Sequence, residues 1–280
     1  MLTPAEFDRV CVVLVRARNP SNIGAVARAM HDFGFSCLRV VNEYPVPLEA
    51  AKSAVDASGV MAAAVNCASV ADAVADCTLV VGTTAVGERH LHHQLLPLAQ
   101  AAPRMLAELR REPTSQNRDG GHPAGRVALL FGSEKTGLSN EELSHCNWLL
   151  TIPMRNPADA RHVSMNLGQA AAVCLYELVR EPAAEAAAQA HAVSPQTADH
   201  PAQPALAAQM ELIATLLNQI LDATEYARRH AHNADPAHIR RLVRRLGADA
   251  IDAPVWIGVL KQILWKLGLA GQRDTSNLEP

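Results

Sequence analysis

Short, continuous apolar runs recur along the first part of the chain, separated by stretches with helical spacing. Runs without alternation are typical of strands covered on both faces. We therefore expect strands at residues 10–15, 37–41, 77–82, 126–132 and 148–153. Helices are expected at residues 23–33, 69–75, 98–110, 140–145 and 165–180, while residues 60–67 fit a strand or a helix. This order predicts an α/β domain with a mainly parallel sheet.

The pattern changes after residue 180. Residues 181–204 are rich in alanine and proline and contain no lysine or arginine, which predicts a linker. Beyond them, leucine and isoleucine recur at helical spacing, which predicts a small domain of three or four helices. We therefore divide the chain into an α/β domain (1–180), the linker (181–204) and an all-α domain (205–280).

Composition and charge restrict the function classes. The 280 residues carry a net charge of -3, so any nucleic-acid surface must be local. Between Arg228 and Arg245 the chain has six arginines against one acid, Asp235, which predicts an RNA footprint. No apolar run approaches the ~20 residues of a membrane span, and no secretory signal opens the chain. Six cysteines without a CxxC pair favour a reducing, cytoplasmic setting without structural metal.

The stretch RNPSNIGAVARAM follows the first predicted strand and contains a lone charge, Arg28, in a helix of small residues. Its loop-to-helix junction could bind phosphate, but a capped helix start with Ser21 or Asn22 as the N-cap is the favoured interpretation. The dinucleotide fingerprint is missing because the junction has only one glycine. Arg28 is not explained by helix capping. Its alanine neighbours suggest close packing, and a cation buried in such packing needs a partner.

Three further loops follow predicted strands. FGSEKTGLS resembles a phosphate loop, but Leu138 stands where lysine is required, which excludes a P-loop ATPase. If the strands ending near Thr83, Gly132 and Ile152 are neighbours, their loops form one pocket. In HVSMNLGQ, Ser164 and Asn166 open a helix, as N-caps or as site residues. Three histidines, at positions 90, 92 and 93, lack the partners that a metal site needs.

Together the motifs NIGAVARAM, VVGTTA, LLFGSEKTGLSNEEL, IPMRNP and SMNLGQAAAVCLYEL resemble the SPOUT class of RNA methyltransferases, in the TrmH-like group. The match covers about residues 8–180. The later stretches HIRRLVRRL and WIGVLKQIL are similar to the C-terminal domain of bacterial tRNA (cytidine/uridine-2′-O)-methyltransferases. The resemblance implies a parallel sheet with a C-terminal trefoil knot, a homodimer with active sites at its interface, and S-adenosylmethionine as cofactor.

The resemblance also implies roles for individual residues. The catalytic set is Arg28, Asn22, Glu134, Ser164 and Asn166. The cofactor would contact Thr83, Thr84, Ala85, Leu130, Phe131, Gly132, Ile152, Pro153, Val163, Ser164, Met165 and Leu167. RNA would contact Arg18, Arg228, Arg229, Arg240, Arg241, Arg244 and Arg245.

The implied reaction is methylation of a ribose 2′-hydroxyl in tRNA, at the anticodon-loop pyrimidine at tRNA position 32. Two alternatives remain at this point: methylation of ribosomal RNA, and a non-catalytic RNA-binding module of the same fold. A nicotinamide oxidoreductase is disfavoured because the glycine fingerprint is absent.

Overall fold

The structure, a computed structural model, describes residues 2–42, 57–85, 91–113, 124–154, 165–180 and 203–268. The strands of these ranges are β1 (Val10–Val15), β2 (Cys37–Val41), β3 (Val65–Cys67), β4 (Leu79–Thr83), β5 (Leu95–Pro97), β6 (Val127–Phe131) and β7 (Trp148–Thr151). The helices of the first domain are α1 (Pro4–Phe7), α2 (Pro20–Asp32), α3 (Ser58–Ala62), α4 (Val70–Val74), α5 (Leu98–Leu109), α6 (Asn140–Leu143) and α7 (Leu167–Val179). Those of the second are α8 (Ala207–Ala223), α9 (Tyr226–Arg229), α10 (Pro236–Leu246) and α11 (Asp252–Lys266).

The described strands form one seven-stranded sheet in the order β3-β2-β1-β6-β4-β7-β5, with every pair parallel. The predicted α/β class and the five expected strands are confirmed, with ends shifted by up to two residues. The ambiguous stretch 60–67 is the end of α3 followed by β3. The short strand β5 was not expected, because three residues are too few to show a pattern.

Alternate side chains of the strands point to opposite faces of the sheet, and each face has its own core. On one face Val10, Val12 and Leu14 of β1 pack in a cluster that α2, α5 and α7 complete. On the other, Cys11 and Val13 join a cluster with residues of α4 and α6. Burial on both faces explains why the strands are apolar throughout rather than alternating.

The second domain packs α8, α10 and α11 around a core of its own that includes Ile213, Val243 and Leu260. It docks on the first domain at the start of α8, where the Ala207 amide donates to the Cys77 carbonyl at 2.8 Å. The expected helical domain is thus confirmed, while the predicted linker lies mostly outside the described residues. The knot depends on the path of residues 155–164, also outside them, so it stays a prediction.

Candidate active site

Three predicted loops meet at one edge of the sheet. β6, β4 and β7 are neighbours and parallel, so their carboxyl ends lie side by side. The Thr83 hydroxyl donates to the Leu130 carbonyl at 2.9 Å, and the Thr84 amide donates to the Leu150 carbonyl at 3.0 Å. In parallel sheets such an edge is the usual place for a ligand. The prediction that these loops form a single site edge is therefore supported by the sheet order.

The loop after β6 is a tight turn that needs glycine. The Gly137 amide donates to the Ser133 carbonyl at 2.8 Å, and the hydroxyls of Ser133 and Thr136 are 2.8 Å apart. A Cβ on Gly132 would lie 2.2 Å from backbone atoms of Gly137 and Leu138. Glycine at position 132 thus lets the turn fold back on itself, which places Glu134 on the rim of the edge.

Polar residues from three separate motifs meet there. The Asn22 side-chain amide donates to Glu134 Oε1 at 2.9 Å, and the Asn166 side-chain amide donates to Asn22 Oδ1 at 3.2 Å. Asn166 also caps α7, since its Oδ1 accepts the Gly168 amide at 2.9 Å. The N-cap of α2 is Asn19, not Ser21 or Asn22, so the Asn22 side chain is free to make this network. Each of the three residues came from a different predicted site motif.

Close packing of α2 against α7 brings this network together. A Cβ on Gly168 would lie 2.6 Å from the Ala25 Cβ, so the two helices approach at small residues on both sides. Ile23, Ala27 and Ala171 are fully buried in the same cluster. This contact explains the run of small side chains around the lone arginine.

Arg28 does not join the network in its own chain. Its side chain is 55% exposed, and within the described chain its ion-pair partner is Asp32 at 4.0 Å, one turn along α2. Six residues separate it from Asn22, which corresponds to about 9 Å along a helix and a different face. Arg28 therefore points to solvent from a helix whose other side is buried against α7.

Sequence reasoning missed one ion pair at the site. The Arg16 guanidinium donates to Glu142 at 2.5 and 2.9 Å and to the Gly137 carbonyl at 3.0 Å. Burial opposes ionisation of Glu142, but this bond and the Ser139 amide hold its pKa below the ordinary value. Arg16 has a left-handed backbone, with φ of 56°, which its contacts must hold in place. Through these bonds Arg16, which follows β1, contacts both α6 and the turn after β6. Only the capping motif SNEEL signalled Glu142 in advance.

The remaining predicted cofactor residues differ in their exposure. Gly132, Phe131, Leu130 and Leu167 are buried, whereas Pro153 and Ala85 are exposed. Ile152 and Met165 are half-buried, and Val163 and Ser164 lie outside the described residues. Short side chains and main-chain groups beside apolar residues suit a nucleoside that carries a small polar chain. The residues present thus fit a cofactor of this class.

The predicted RNA-binding arginines fall into two groups. Arg240 donates to Glu141 of α6 at 2.7 Å, to the Ser144 hydroxyl at 2.7 Å and to both Glu211 oxygens at 3.0 Å. Arg244 is only 7% exposed. The structure therefore gives Arg240 a role in joining the domains and buries Arg244 against the Ala207 carbonyl at 3.5 Å, which the sequence pattern could not distinguish from RNA contact. Solvent-exposed positions are Arg18, Arg228, Arg229 and Arg245, with Arg241 half-buried.

Neither a metal site nor a membrane span is found in the described residues. No group of three or more histidine, cysteine, aspartate or glutamate side chains there could hold a metal ion. His92 and His93 belong to that part of the chain, whereas His90 does not. No helix in the described ranges has both the length and the apolar character needed to cross a bilayer.

Comparison with known proteins identifies the first domain. The SpoU rRNA methylase family matches residues 9–176, more than half of the chain. The chain belongs to the SpoU rRNA methylase family. The network of Asn22, Glu134 and Asn166 lies within the matched range. The resemblance found in the motifs is thereby confirmed.

Individual relatives extend the match beyond that domain. A tRNA (cytidine/uridine-2′-O-)-methyltransferase TrmJ from Yersinia enterocolitica is 30% identical over 92% of both chains. A tRNA (cytidine/uridine/adenosine-2′-O-)-methyltransferase TrmJ from Pseudomonas aeruginosa is 35% identical, but over only 61% of each chain, less than two thirds of that protein's length. The crystal structure of TrmJ from Z. mobilis ZM4 has a TM-score of 0.68 and 27% identity, over 90% of this chain and 98% of that one. The helical domain is therefore shared with at least some of these relatives.

Proposed function

We propose that this protein transfers a methyl group from S-adenosylmethionine to a ribose 2′-hydroxyl of tRNA. The observation that carries the proposal is the network of Asn22, Glu134 and Asn166, which unites three family motifs at the carboxyl edge of a parallel sheet. The TrmJ proteins from Yersinia enterocolitica and Sodalis glossinidius, each matched over 92% of the chain, are named for this reaction on cytidine and uridine. The specific target we propose is the pyrimidine at tRNA position 32.

The cofactor would lie on the edge formed by β4, β6 and β7. Thr83, Thr84, Ala85 and the turn at Gly132 would offer main-chain and hydroxyl groups, and Ile152 and Leu167 apolar contacts. When bound, S-adenosylmethionine supplies a methyl group that its positive sulfur already activates. The protein must then hold the acceptor hydroxyl in line and assist loss of its proton.

Arg28 is our candidate for that task. A guanidinium remains protonated under ordinary conditions, so it acts through charge and hydrogen bonds rather than as a literal base. Its cation would position the ribose hydroxyl or the adjacent phosphate and stabilise negative charge that develops on the oxygen. The side chain is exposed and lies on another face of α2 from Asn22. We infer that Arg28 reaches the network of a second subunit in a homodimer.

The polar network would arrange the acceptor side of the site. Glu134 holds the Asn22 amide, and Asn22 in turn accepts from Asn166. This chain of bonds fixes the start of both α2 and α7, so it would set where the ribose lies relative to the cofactor edge. Ser164, three residues before α7 in the sequence, keeps its proposed place in the catalytic set.

The helical domain would supply tRNA contacts. Arg228 and Arg229 have side chains that are 82% and 71% exposed, and Arg245 is exposed on α10. Exposed guanidinium groups suit phosphate oxygens. The RNA-binding set we propose is thus Arg18, Arg228, Arg229, Arg241 and Arg245, while Arg240 joins the two domains and Arg244 is buried.

The direct test is methyl transfer by the purified protein. Labelled S-adenosylmethionine with unmodified tRNA should give product whose modified linkage resists alkaline hydrolysis, because a methylated 2′-oxygen cannot attack the phosphate. Arg28→Ala should lower turnover by orders of magnitude while calorimetry shows cofactor affinity near that of the wild type. Arg9→Ala, in the same domain but away from the site, serves as the control. Unchanged turnover of Arg28→Ala would remove it from the catalytic set.

The same assay separates the alternatives. Ribosomal RNA methylated in preference to tRNA would make it the substrate. A chain that binds tRNA but shows no calorimetric signal with the cofactor would be a non-catalytic RNA-binding module.

A further inference from the structure

One face of α11 is apolar although it lies open in the described chain. Val255, Val259 and Ile263 are 62%, 49% and 40% exposed. They recur at every fourth position, so they form a single stripe along the helix. The inward side of α11 is separate, since Leu260 and Leu264 are only 6% and 5% exposed in the core of the second domain. The stripe is therefore an additional apolar surface and not a poorly packed part of the core.

The pairs of residues four, seven and eight positions from Val259 are self-complementary, whereas the pair three positions away is exposed Trp256 on one side and Gln262 on the other. Val255 and Ile263 lie four residues to either side of it, and both are apolar. Asp252 and Lys266 lie seven residues to either side, with opposite charges. Eight residues away on the two sides, the exposed apolar pair Ile251 and Leu267 extends the pattern beyond the helix ends. At about 100° per residue all of these positions share one side of the helix.

We propose that α11 pairs in antiparallel fashion with α11 of a second copy of this chain, about a two-fold axis at Val259. In that arrangement Asp252 of one copy faces Lys266 of the other, twice. Val255 packs on Ile263 of the other copy, and Val259 packs on itself. Such a contact is distinct from pairing through the methyltransferase domain and does not depend on the proposed reaction.

The chemistry of the stripe favours a copy of the chain over RNA. The arginines of the predicted RNA footprint lie on α9 and α10, and Lys261 of α11 falls about 160° from Val259 around that helix. A carboxylate at one end of an apolar stripe repels a polyanion but attracts the lysine at the opposite end of an antiparallel copy. One helix against one helix is a small interface, below about 1,200 Å², so the association is weak and reversible.

Covalent trapping in the full-length chain tests the register. A residue on a two-fold axis meets its own copy, so Val259→Cys should form a disulfide-linked dimer under mild oxidation. Gly258→Cys is the matched control, one residue away on the same helix, where an added Cβ has no atom within 4 Å. We expect at least about tenfold faster cross-linking at position 259, because position 258 lies about 100° off the axis.

Charge reversal provides a second, independent readout. Asp252→Lys in the Val259→Cys background should slow cross-linking severalfold, and adding Lys266→Asp should restore it. The proposal is wrong if positions 258 and 259 cross-link equally, or if the double reversal fails to restore the rate. It is also wrong if the thiol at position 259, followed by peptide mass spectrometry, stays reactive in the free protein and only added tRNA protects it from alkylation, since the stripe would then bind RNA.

Discussion

Replacing Arg240 by alanine should destabilise the protein, whereas replacing Arg245, on the same helix, should leave stability nearly unchanged and weaken tRNA binding. Arg240 and Arg245 both belong to α10, yet Arg240 is 14% exposed and contacts the first domain, whereas Arg245 is exposed. Arg240→Ala removes bonds to Glu211 at 3.0 Å and to Ser144 at 2.7 Å. It also leaves Glu211, 22% exposed, without its cationic partner on α10.

The expected loss follows from these contacts. Hydrogen bonds to charged, partly buried groups contribute about 1.5–3 kcal/mol, and an exposed pair such as Arg240 with Glu141 adds about 0–1 kcal/mol. We therefore expect Arg240→Ala to lower the free energy of unfolding by about 3 kcal/mol. Arg245→Ala should change it by less than about 0.5 kcal/mol, because it removes an exposed side chain.

Equilibrium unfolding in urea, followed by circular dichroism, measures the first effect. Loss of docking should also broaden the transition or divide it in two as the domains unfold separately. Titration with tRNA at several salt concentrations tests the proposed phosphate contact of Arg245. Arg245→Ala should reduce the slope of log affinity against log salt concentration by about 1. Equal stability of the two variants would refute the division of the arginines that the structure suggests.

Three further outcomes are expected. If Arg28 completes the site of a second subunit, mixing inactive Arg28→Ala and Asn166→Ala chains should recover about a quarter of wild-type turnover; no recovery would mean that both act within one chain. Cys37, whose pKa the neighbouring Cys11 thiol and the nearby arginines Arg126 and Arg39 lower, should react with iodoacetamide at neutral pH. Cys174, with a pKa that burial raises to about 12, should not, and mass spectrometry distinguishes them. Despite the opposing cost of burial, His145 and Arg240 lower the pKa of Glu211 from 4.5 to about 2, so its stabilisation is complete above pH 4.5 and lost as pH falls towards 2. Glu211→Gln should flatten that part of the stability curve.

Much of the fold followed from the sequence because burial on both faces of a sheet leaves a strong local signal. Strand β1 was expected at the residues where it occurs, and the neighbouring order of β6, β4 and β7 matched the predicted pocket edge. Strand β5 was not predicted, because a strand of three residues is too short to show a hydrophobic period. The site residues were predicted from the family motifs, since no local sequence pattern indicates that Asn22, Glu134 and Asn166 are in contact.

The contacts that were missed join residues that are distant in sequence. Arg16 bonds to a glutamate 126 positions away, and Arg240 to one 99 positions away. The arginine-rich sequence of α10 does not show in which direction each side chain points. It therefore could not distinguish an arginine that contacts the other domain from one that faces solvent. The start of α2 was predicted three residues late, because Asn19 rather than Ser21 or Asn22 caps the helix.

Mapping of 2′-O-methyl groups in RNA from cells that lack this gene tests the central claim most directly. We expect tRNA to lose the 2′-O-methyl group of an anticodon-loop pyrimidine at position 32, while other 2′-O-methylated sites persist. Expression of the wild-type chain should restore the modification, and expression of Arg28→Ala should not. Intact tRNA methylation, or a loss confined to ribosomal RNA, would contradict the proposed function.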